Sequence, residues 1–442
     1  MSSTDRRIVP RPRTLLPRVG YLLPLSRDLL GTLDRWATEV GDIYRVDIPG
    51  RNTWVVNRPD EIERILVHGQ HFVKGGELYK AKALLGDGLL TSERDLWKRQ
   101  RRMMQPAFHR ERMAAYGARM VEITDAALAH WHTGEVRDVH KDAMALTLKI
   151  VSDTLFGDDE VPSEEVSQAL DDVLRRFDGV IALLPEWLPF QRFTRFRNAI
   201  SRLDEVVYAV VSRRRRERTN ERGDLLSILL NAQDEDDGTK MSDTQLRDEV
   251  LTLLIAGHET VANTLTWACY LVSQHPDAEK NLTDEADALN GPATAHDLPK
   301  LPYTTAVLHE SMRLFPPAWA IGREVAEAWE IAGFPADRGM QVTIFPWVVH
   351  RDPRFFSEPL RFRPERWLDG STKSIPTYAY FPFGGGQRLC IGRPFAMLEG
   401  ALVLATVVRR FRLRPIDGHA PVPLPSITLR PRNGLPMKVE RR

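Results

Sequence analysis

The sequence predicts a mainly α protein with a smaller β portion. Three observations carry that expectation. From about Thr91 to Gln274 apolar residues recur at i, i+3, i+4 and i+7, the spacing of a helix with one face in a core. A second helix-rich stretch covers Pro276 to Phe315, and a last one runs from about Arg393 to Phe411. Strand-like patterning is confined to about 42–75 and 316–350 and to short pieces that close the chain.

The elements follow in order. The first 30 residues are rich in Pro and Arg and are expected to run irregularly over the surface. Asp42 to Pro49 alternates apolar and polar, and Thr53 to Val56 follows a Gly-containing turn, which reads as a β-hairpin. The helical region 91–315 is broken at Gly157, around Leu183–Pro189 and at the acidic loop Asp234 to Lys240. Its longest helix runs from about Ser242 to Gln274, with Ser242 and Gln245 spaced as a capping box. Such a helix spans about 50 Å, enough to cross a domain. From Pro316 the chain turns Pro-rich, with strand candidates at Val325–Ile331 and Gln341–Pro346. No composition shift marks a linker and no repeat is present, so one domain over 1–442 is expected.

Bulk composition narrows the class. Of 442 residues 43% are hydrophobic and 27% charged, as in an ordinary globular protein. The formal net charge of +1 gives no electrostatic reason to expect a nucleic-acid partner. Cys269 and Cys390 are the two cysteines, which leaves no disulfide framework and suggests a reducing compartment. Tyr21–Leu25, flanked by Arg18 and Arg27, is the longest apolar stretch near the N-terminus, whereas a spanning helix needs about 20 apolar residues. A cytoplasmic protein without a membrane span is expected.

Chemistry concentrates at Cys390, in Phe383-Gly-Gly-Gly-Gln-Arg388-Leu-Cys390-Ile-Gly392. Glycines let a backbone approach a large ligand, and a lone thiolate in such a loop suits axial ligation of haem iron. The long helix carries Ala256-Gly257-His258-Glu259-Thr260 at its middle. A mid-helix glycine costs about 1 kcal/mol against alanine, and one return is room for a flat ligand. Thr260 and Glu259 beside that gap suit a proton relay; the plainer reading is a threonine bonded to its own helix carbonyl and a glycine serving as a packing notch. Glu310 and Arg313 share a helix face, and Arg366 in Phe362-Arg-Pro-Glu-Arg366-Trp367 is placed to complete a charged network with them. Trp97 and Arg101, four apart, suit a carboxylate-bearing cofactor or, more plainly, a basic surface helix.

Other patterns fail. His258-Glu259 opens like a zinc-protease helix, but Ala262 stands where the second histidine belongs. Gly384 and Gly386 open like a dinucleotide fingerprint, but Leu389 replaces the third glycine. Arg213 to Arg216 resembles a nucleic-acid patch but closes a helical segment, where cations complement the dipole. Cys269, in an apolar run, reads as a packed thiol.

With these residues in place, the sequence resembles the cytochrome P-450 family of haem-thiolate monooxygenases over nearly its whole length. The cysteine loop fits Phe-x-x-Gly-x-x-x-Cys-x-Gly, and Ala-Gly-x-Glu-Thr, Glu-x-x-Arg, Pro-Glu-Arg-aromatic and Trp-x-x-x-Arg occur in the family's order and spacing. The resemblance implies the P-450 fold, with haem b between a long central helix and the cysteine loop. It implies Cys390 as axial thiolate, Thr260 and Glu259 in proton delivery to dioxygen, and Trp97, Arg101, Arg388 and Arg323 at the haem propionates. Phe383, Ala256 and Gly257 would lie against the haem, while Glu310, Arg313 and Arg366 would be structural. Trp367 replaces the commoner Phe, with no expected functional consequence.

The resemblance also implies O2 as oxidant and electrons from outside, since no flavin or iron–sulfur segment is present. Lys98, Arg99, Arg102, Arg361, Arg363 and Arg393 would form a basic face for ferredoxin (with ferredoxin reductase) or flavodoxin. Segments corresponding to the family's pocket are Leu78–Leu90, Leu183–Trp187, Leu253–Thr260, Pro317–Ala320 and Ser426–Ile427. They are largely apolar, interrupted by Lys80, Lys82, Asp87, Glu186 and Glu259 among others, which favours a hydrophobic substrate. Two stretches look especially like bacterial members that oxidise carotenoids and fatty acids; terpenoids and steroids stay open. The expected reaction is hydroxylation of an unactivated C–H bond by a monomeric enzyme. A peroxide-driven peroxygenase and a haem-binding sensor or carrier are the alternatives, and Thr260 with Glu259 argues against the first.

Overall fold

In the computed structural model the described residues are 8–14, 20–48, 51–157, 159, 161–177, 191–217 and 223–442. They are mainly helical with a smaller β portion, as the periodicity predicts. The chain forms two compact units, each built from separated stretches of sequence.

The first unit comprises Met1–Ala83, Arg313–Arg361 and Thr372–Cys390. Its centre is a five-stranded sheet ordered Ile43–Ile48, Arg51–Val56, Gln341–Ile344, Ile321–Val325, Phe72–Lys74. The predicted hairpin forms, with Ile43 opposite Val56 and Val46 opposite Thr53. Its second strand runs parallel to Gln341–Ile344, with Trp54 opposite Val342. Alternation buries Trp54, Val56, Val342 and Ile344 in one core with Ile62, Ile65 and Leu66 of the helix Pro59–Val67. Burying each such side chain contributes about 1.5–3 kcal/mol.

Two expectations are corrected here. The stretch before residue 30 is not wholly irregular: helices run over Leu22–Arg27 and Leu29–Val40. Pro24 is tolerated because it lies in a first turn, where N–H groups have no helical acceptor. Asp28 caps the second helix by accepting from the Gly31 N–H at 3.0 Å. The strand placed at Val325–Ile331 instead ends at Val325, and Trp329–Ile331 belongs to a separate hairpin with Phe334–Ala336. The Ala326 N–H still reaches the His71 carbonyl at 2.8 Å, and the chain bends at Ala326 and Glu327 before the new hairpin starts.

The second unit comprises Leu84–Met312, Phe362–Ser371 and Ile391–Arg442. Its axis is the helix Asp243–Ser273, packed on Val139–Phe156. Ser242 caps it, accepting from the Gln245 N–H at 3.1 Å. Pro276 starts the next helix, Pro276–Asp287, soon after its end. Mid-helix threonines bond back to the preceding turn, Thr264 to the Thr260 carbonyl at 2.9 Å and Thr266 to that of Ala262 at 2.7 Å, so the hydroxyls are satisfied inside the core. The C-terminal helix, Arg393–Arg410, packs on Arg110–Leu128. Gly157, at φ +59°, ends the helix Val139–Phe156 as expected. Strands Val136–Asp138, Pro436–Arg441 and Phe411–Pro415 complete this unit with a short hairpin, Pro423–Pro425 and Leu429–Pro431. The pocket segment Leu183–Trp187 lies outside the described residues, as does the Lys80 side chain. No helix among the described residues is long and apolar enough to cross a membrane.

Candidate functional site

In the first unit the cysteine loop is closed by its own backbone. The Cys390 N–H donates to the Phe383 carbonyl at 3.0 Å. Gly384 and Gly386 take φ of +72° and +61°, the left-handed region that disfavours side chains. A Cβ on Gly386 would lie 2.2 Å from the Leu66 carbonyl oxygen, and one on Gly385 would lie 2.4 Å from the Tyr378 ring. Gly386 therefore lets the loop seat on the helix Pro59–Val67, and Gly385 lets it lie against Tyr378. The loop presents the Cys390 side chain outward, whereas Cys269 is buried, with its thiol pushed up to about 12 by desolvation. An exposed sulfur on a rigid, peptide-lined loop fits a haem thiolate; Cys269 does not.

Two residues buttress this loop. His350, fully buried, accepts the Phe381 N–H on Nε2 at 3.0 Å. Arg313, also fully buried, donates to the carbonyls of His350 at 3.0 Å, Pro359 at 2.6 Å and Arg361 at 3.2 Å. His350 escaped sequence reasoning; its one signal is a histidine directly after the apolar run Trp347–Val349. Arg388 is half-buried in the same loop. Arg323, on the strand Ile321–Val325, donates to the Gly322 carbonyl at 2.8 Å.

In the second unit the central helix carries an open stripe. Between Leu246 and Cys269 every residue is buried except Leu253, Ala256, Gly257 and Thr260. Their spacing of three and four places them on one face. The face is apolar apart from the Thr260 hydroxyl, which donates to the Ala256 carbonyl at 2.8 Å. This is the back-bonded threonine of the plainer reading, and the oxygen keeps acceptor capacity. A Cβ on Gly257 would lie 3.0 Å from Val151 Cγ2, so this glycine also lets the helix Val139–Phe156 approach. Glu259 is buried. A stripe of small residues on an otherwise sealed helix fits a flat macrocycle and an apolar substrate.

On the helix Arg94–Met104, Trp97 is buried and Arg101 lies over its ring, 5.8 Å from the centroid. Glu310 is fully buried and accepts from Arg366 Nε at 3.0 Å, the Arg363 N–H at 3.0 Å and Trp367 Nε1 at 2.9 Å. The third bond is one that the expected phenylalanine cannot make. The basic cluster is partly neutralised: Arg99 reaches Asp234 at 2.7 Å, Arg102 reaches Asp236 at 2.6 Å, and Arg363 reaches Asp369 at 2.5 Å. The arginine run is ion-paired as well. Arg213 meets Asp159 at 3.0 Å and Arg215 meets Asp243 at 2.6 Å, while buried Arg214 binds Asp159 and Asp224.

Sequence reasoning also missed Asp248 and Glu249, carboxylates buried in the central helix. Their signal is a charged triplet, Arg247-Asp-Glu249, facing no break in an apolar helical run.

Comparison with known proteins agrees with this geometry. The cytochrome P450 family model matches residues 10–437. Cyclooctatin synthase of Streptomyces melanosporofaciens is 37% identical over 423 residues, 94% of this chain and 92% of that protein. Pentalenene oxygenase of Streptomyces avermitilis is 34% identical over 406 residues, 90% of each. The crystal structure of the cytochrome P450DA haem domain superposes with a TM-score of 0.90 at 27% identity, covering 99% of this chain and 98% of that one. The chain therefore belongs to the cytochrome P450 family, and it is a haem-thiolate monooxygenase whose cofactor is haem b.

Proposed function

We propose that this enzyme hydroxylates a terpenoid, with Cys390 as the axial thiolate. Relatives named for cyclooctatin and pentalenene support the substrate class. One observation carries the reading: the open stripe of Leu253, Ala256, Gly257 and Thr260 is apolar except for one hydroxyl. A substrate held there gains by burying hydrocarbon and has a single polar group to orient against.

Haem b, when bound, supplies dioxygen activation and oxygen-atom transfer. The residues of the chain bind, orient and move protons. By likeness to the family, Trp97, Arg101, Arg388 and Arg323 would hold the propionates through an indole N–H and three guanidinium groups. Phe383, Ala256 and Gly257 would lie against the macrocycle. Thr260 holds a proton at Oγ1, which it donates to the Ala256 carbonyl; giving that proton to another acceptor would forgo the bond, a cost of about 1 kcal/mol. Glu259 resupplies that proton. Electrons come from a ferredoxin with its reductase or from a flavodoxin, drawn to Lys98, Arg99, Arg102, Arg361, Arg363 and Arg393. The enzyme works in the cytoplasm as a monomer. A single domain over 1–442 is supported by a family match running through both units, which interleave along the chain.

The test is spectroscopic. The reduced carbon monoxide complex should give a red-shifted Soret band that Cys390→Ser abolishes. In a panel of terpenes, steroids, carotenoids and fatty acids, terpenes should shift the haem spin state at the lowest concentration and yield monohydroxylated product with a surrogate ferredoxin system. Spin shifts from polar compounds alone would overturn the substrate class.

A further inference from the structure

Between the helices Gly76–Leu85 and Arg94–Met104 the chain makes a tight loop, Gly86-Asp-Gly-Leu-Leu-Thr-Ser92. Two adjacent carboxylates of the central helix hold its backbone. The Asp87 N–H donates to Asp248 Oδ2 at 2.8 Å, and the Leu89 N–H donates to Glu249 Oε2 at 2.8 Å. Asp248 is 6% exposed and Glu249 fully buried, and buried carboxylates are retained only with donors in place. Arg247 donates to Asp248 Oδ1 at 2.9 Å and to Asp204 of the helix Gln191–Glu217 at 2.7 Å, which fixes the carboxylate from its far side. Gln100 clamps the other edge of the loop, donating to the Asp87 carbonyl at 2.5 Å and accepting from the Ser92 hydroxyl.

The loop lies flush on the helix. A Cβ on Gly86 would fall 2.2 Å from the Asp248 carboxylate oxygens, and one on Gly88 would fall 2.3 Å from Thr252 Oγ1 and 2.7 Å from the Asp248 carbonyl oxygen. Asp248, Thr252, Ala256 and Thr260 are four apart and form one row. The first two lie under the loop; the last two are accessible. The loop therefore ends where the open stripe begins, and Leu90, 39% exposed, stands at its apolar edge.

We propose that Asp248 and Glu249 are positioning residues that fix this loop as a rigid end wall of the stripe, and that the wall selects compact, rigid hydrocarbon skeletons over long flexible chains. This rests on the stripe being the substrate site. A pre-formed wall costs a compact ligand no rearrangement, whereas a long chain must displace the loop and forfeit its charge-assisted hydrogen bonds.

The experiment uses the holoenzyme and the variants Glu249→Ala, Glu249→Gln and Gly88→Ala. Amide hydrogen exchange over 86–92 is read beside spectral dissociation constants for a polycyclic terpene alcohol and for palmitic acid. Glu249→Ala should raise exchange in the loop about tenfold and shift the terpene-to-palmitate affinity ratio about tenfold toward palmitate, the scale of one lost hydrogen bond to a charged group. Haem content and the carbon monoxide band should stay unchanged. Glu249→Gln, which keeps an acceptor oxygen, should restore most of both effects. Gly88→Ala lifts the loop by steric contact with both carboxylates intact, and it should reproduce the shift even if Glu249→Ala fails to fold. Unchanged exchange overturns the positioning role; faster exchange with an unchanged ratio overturns the wall. If the parent enzyme has the thiolate band but no terpene-induced spin shift, the substrate reading falls, and exchange alone decides whether the carboxylates hold the loop.

Discussion

Trp367 shows how one side chain changes the meaning of a motif. Its indole N–H reaches Glu310 Oε2 at 2.9 Å, beside the Arg366 and Arg363 contacts to Oε1. A fully buried carboxylate needs donors on both oxygens, and a phenylalanine would leave Oε2 without this one. The expectation that tryptophan here has no consequence concerned function; for stability the bond matters. Trp367→Phe should lower the unfolding free energy by about 2 kcal/mol, as expected for a hydrogen bond to a charged group. Urea titration of parent and variant measures it, and an unchanged midpoint at equal slope would mean that another donor takes over.

At the scale of elements, the cysteine loop and the central helix were legible for different reasons. The helix announces itself by period, by the Ser242 cap and by Pro276 beyond its end, and it was placed to within a residue at each end. The loop announces itself by composition, because the left-handed φ of residues 384 and 386 strongly favours glycine. What stayed hidden depends on partners distant in sequence. Arg214 is buried by Asp159, 55 residues away, and Asp248 binds Asp87 from 161 residues away. The loop yields a paired prediction. Gly386→Ala puts a methyl 2.2 Å from the Leu66 carbonyl and should purify with a haem-to-protein ratio well below the parent's. Gly384→Ala meets nothing within 4 Å, pays only the left-handed backbone, about 1–2 kcal/mol, and should keep its haem. The helix Arg94–Met104 yields another. Asp236 is exposed and shares Arg102 with Asp234, at 2.6 and 3.0 Å, so Asp236→Asn should make this face more positive by one charge and speed reduction by an acidic ferredoxin at low salt. Stopped-flow reduction rates with an unchanged salt dependence would oppose it.

For the molecule as a whole, buried titratable groups in the helical unit set the response to pH. Burial lowers His140, His258 and His309 to about 4, with Arg430, His140 and Arg393 respectively adding to the effect and Asp138 opposing it at His140. Each is neutral in the folded protein where the unfolded chain, titrating near 6.5, already binds a proton. Below 6.5 the unfolded state therefore gains protons first, and stability falls as pH falls, by about 1.4 kcal/mol per pH unit for each histidine. Glu399, fully buried, works in the opposite sense. Desolvation raises it well above 4.5, so the folded state keeps its proton while the unfolded chain ionises, and stability falls as pH rises above 4.5. Above 4.5 the carboxyl therefore opposes the histidines, and three histidines against one carboxyl leave a net loss of stability on acidification. Glu399→Gln removes the offset. The variant should match the parent near pH 4, gain on it as pH rises above 4.5 and lose stability more steeply on acidification. Urea unfolding of the holoenzyme at pH 4.5, 5.5 and 6.5 measures this, and a variant less stable than the parent at pH 6.5 would show that Glu399 is held ionised by a partner rather than buried with its proton.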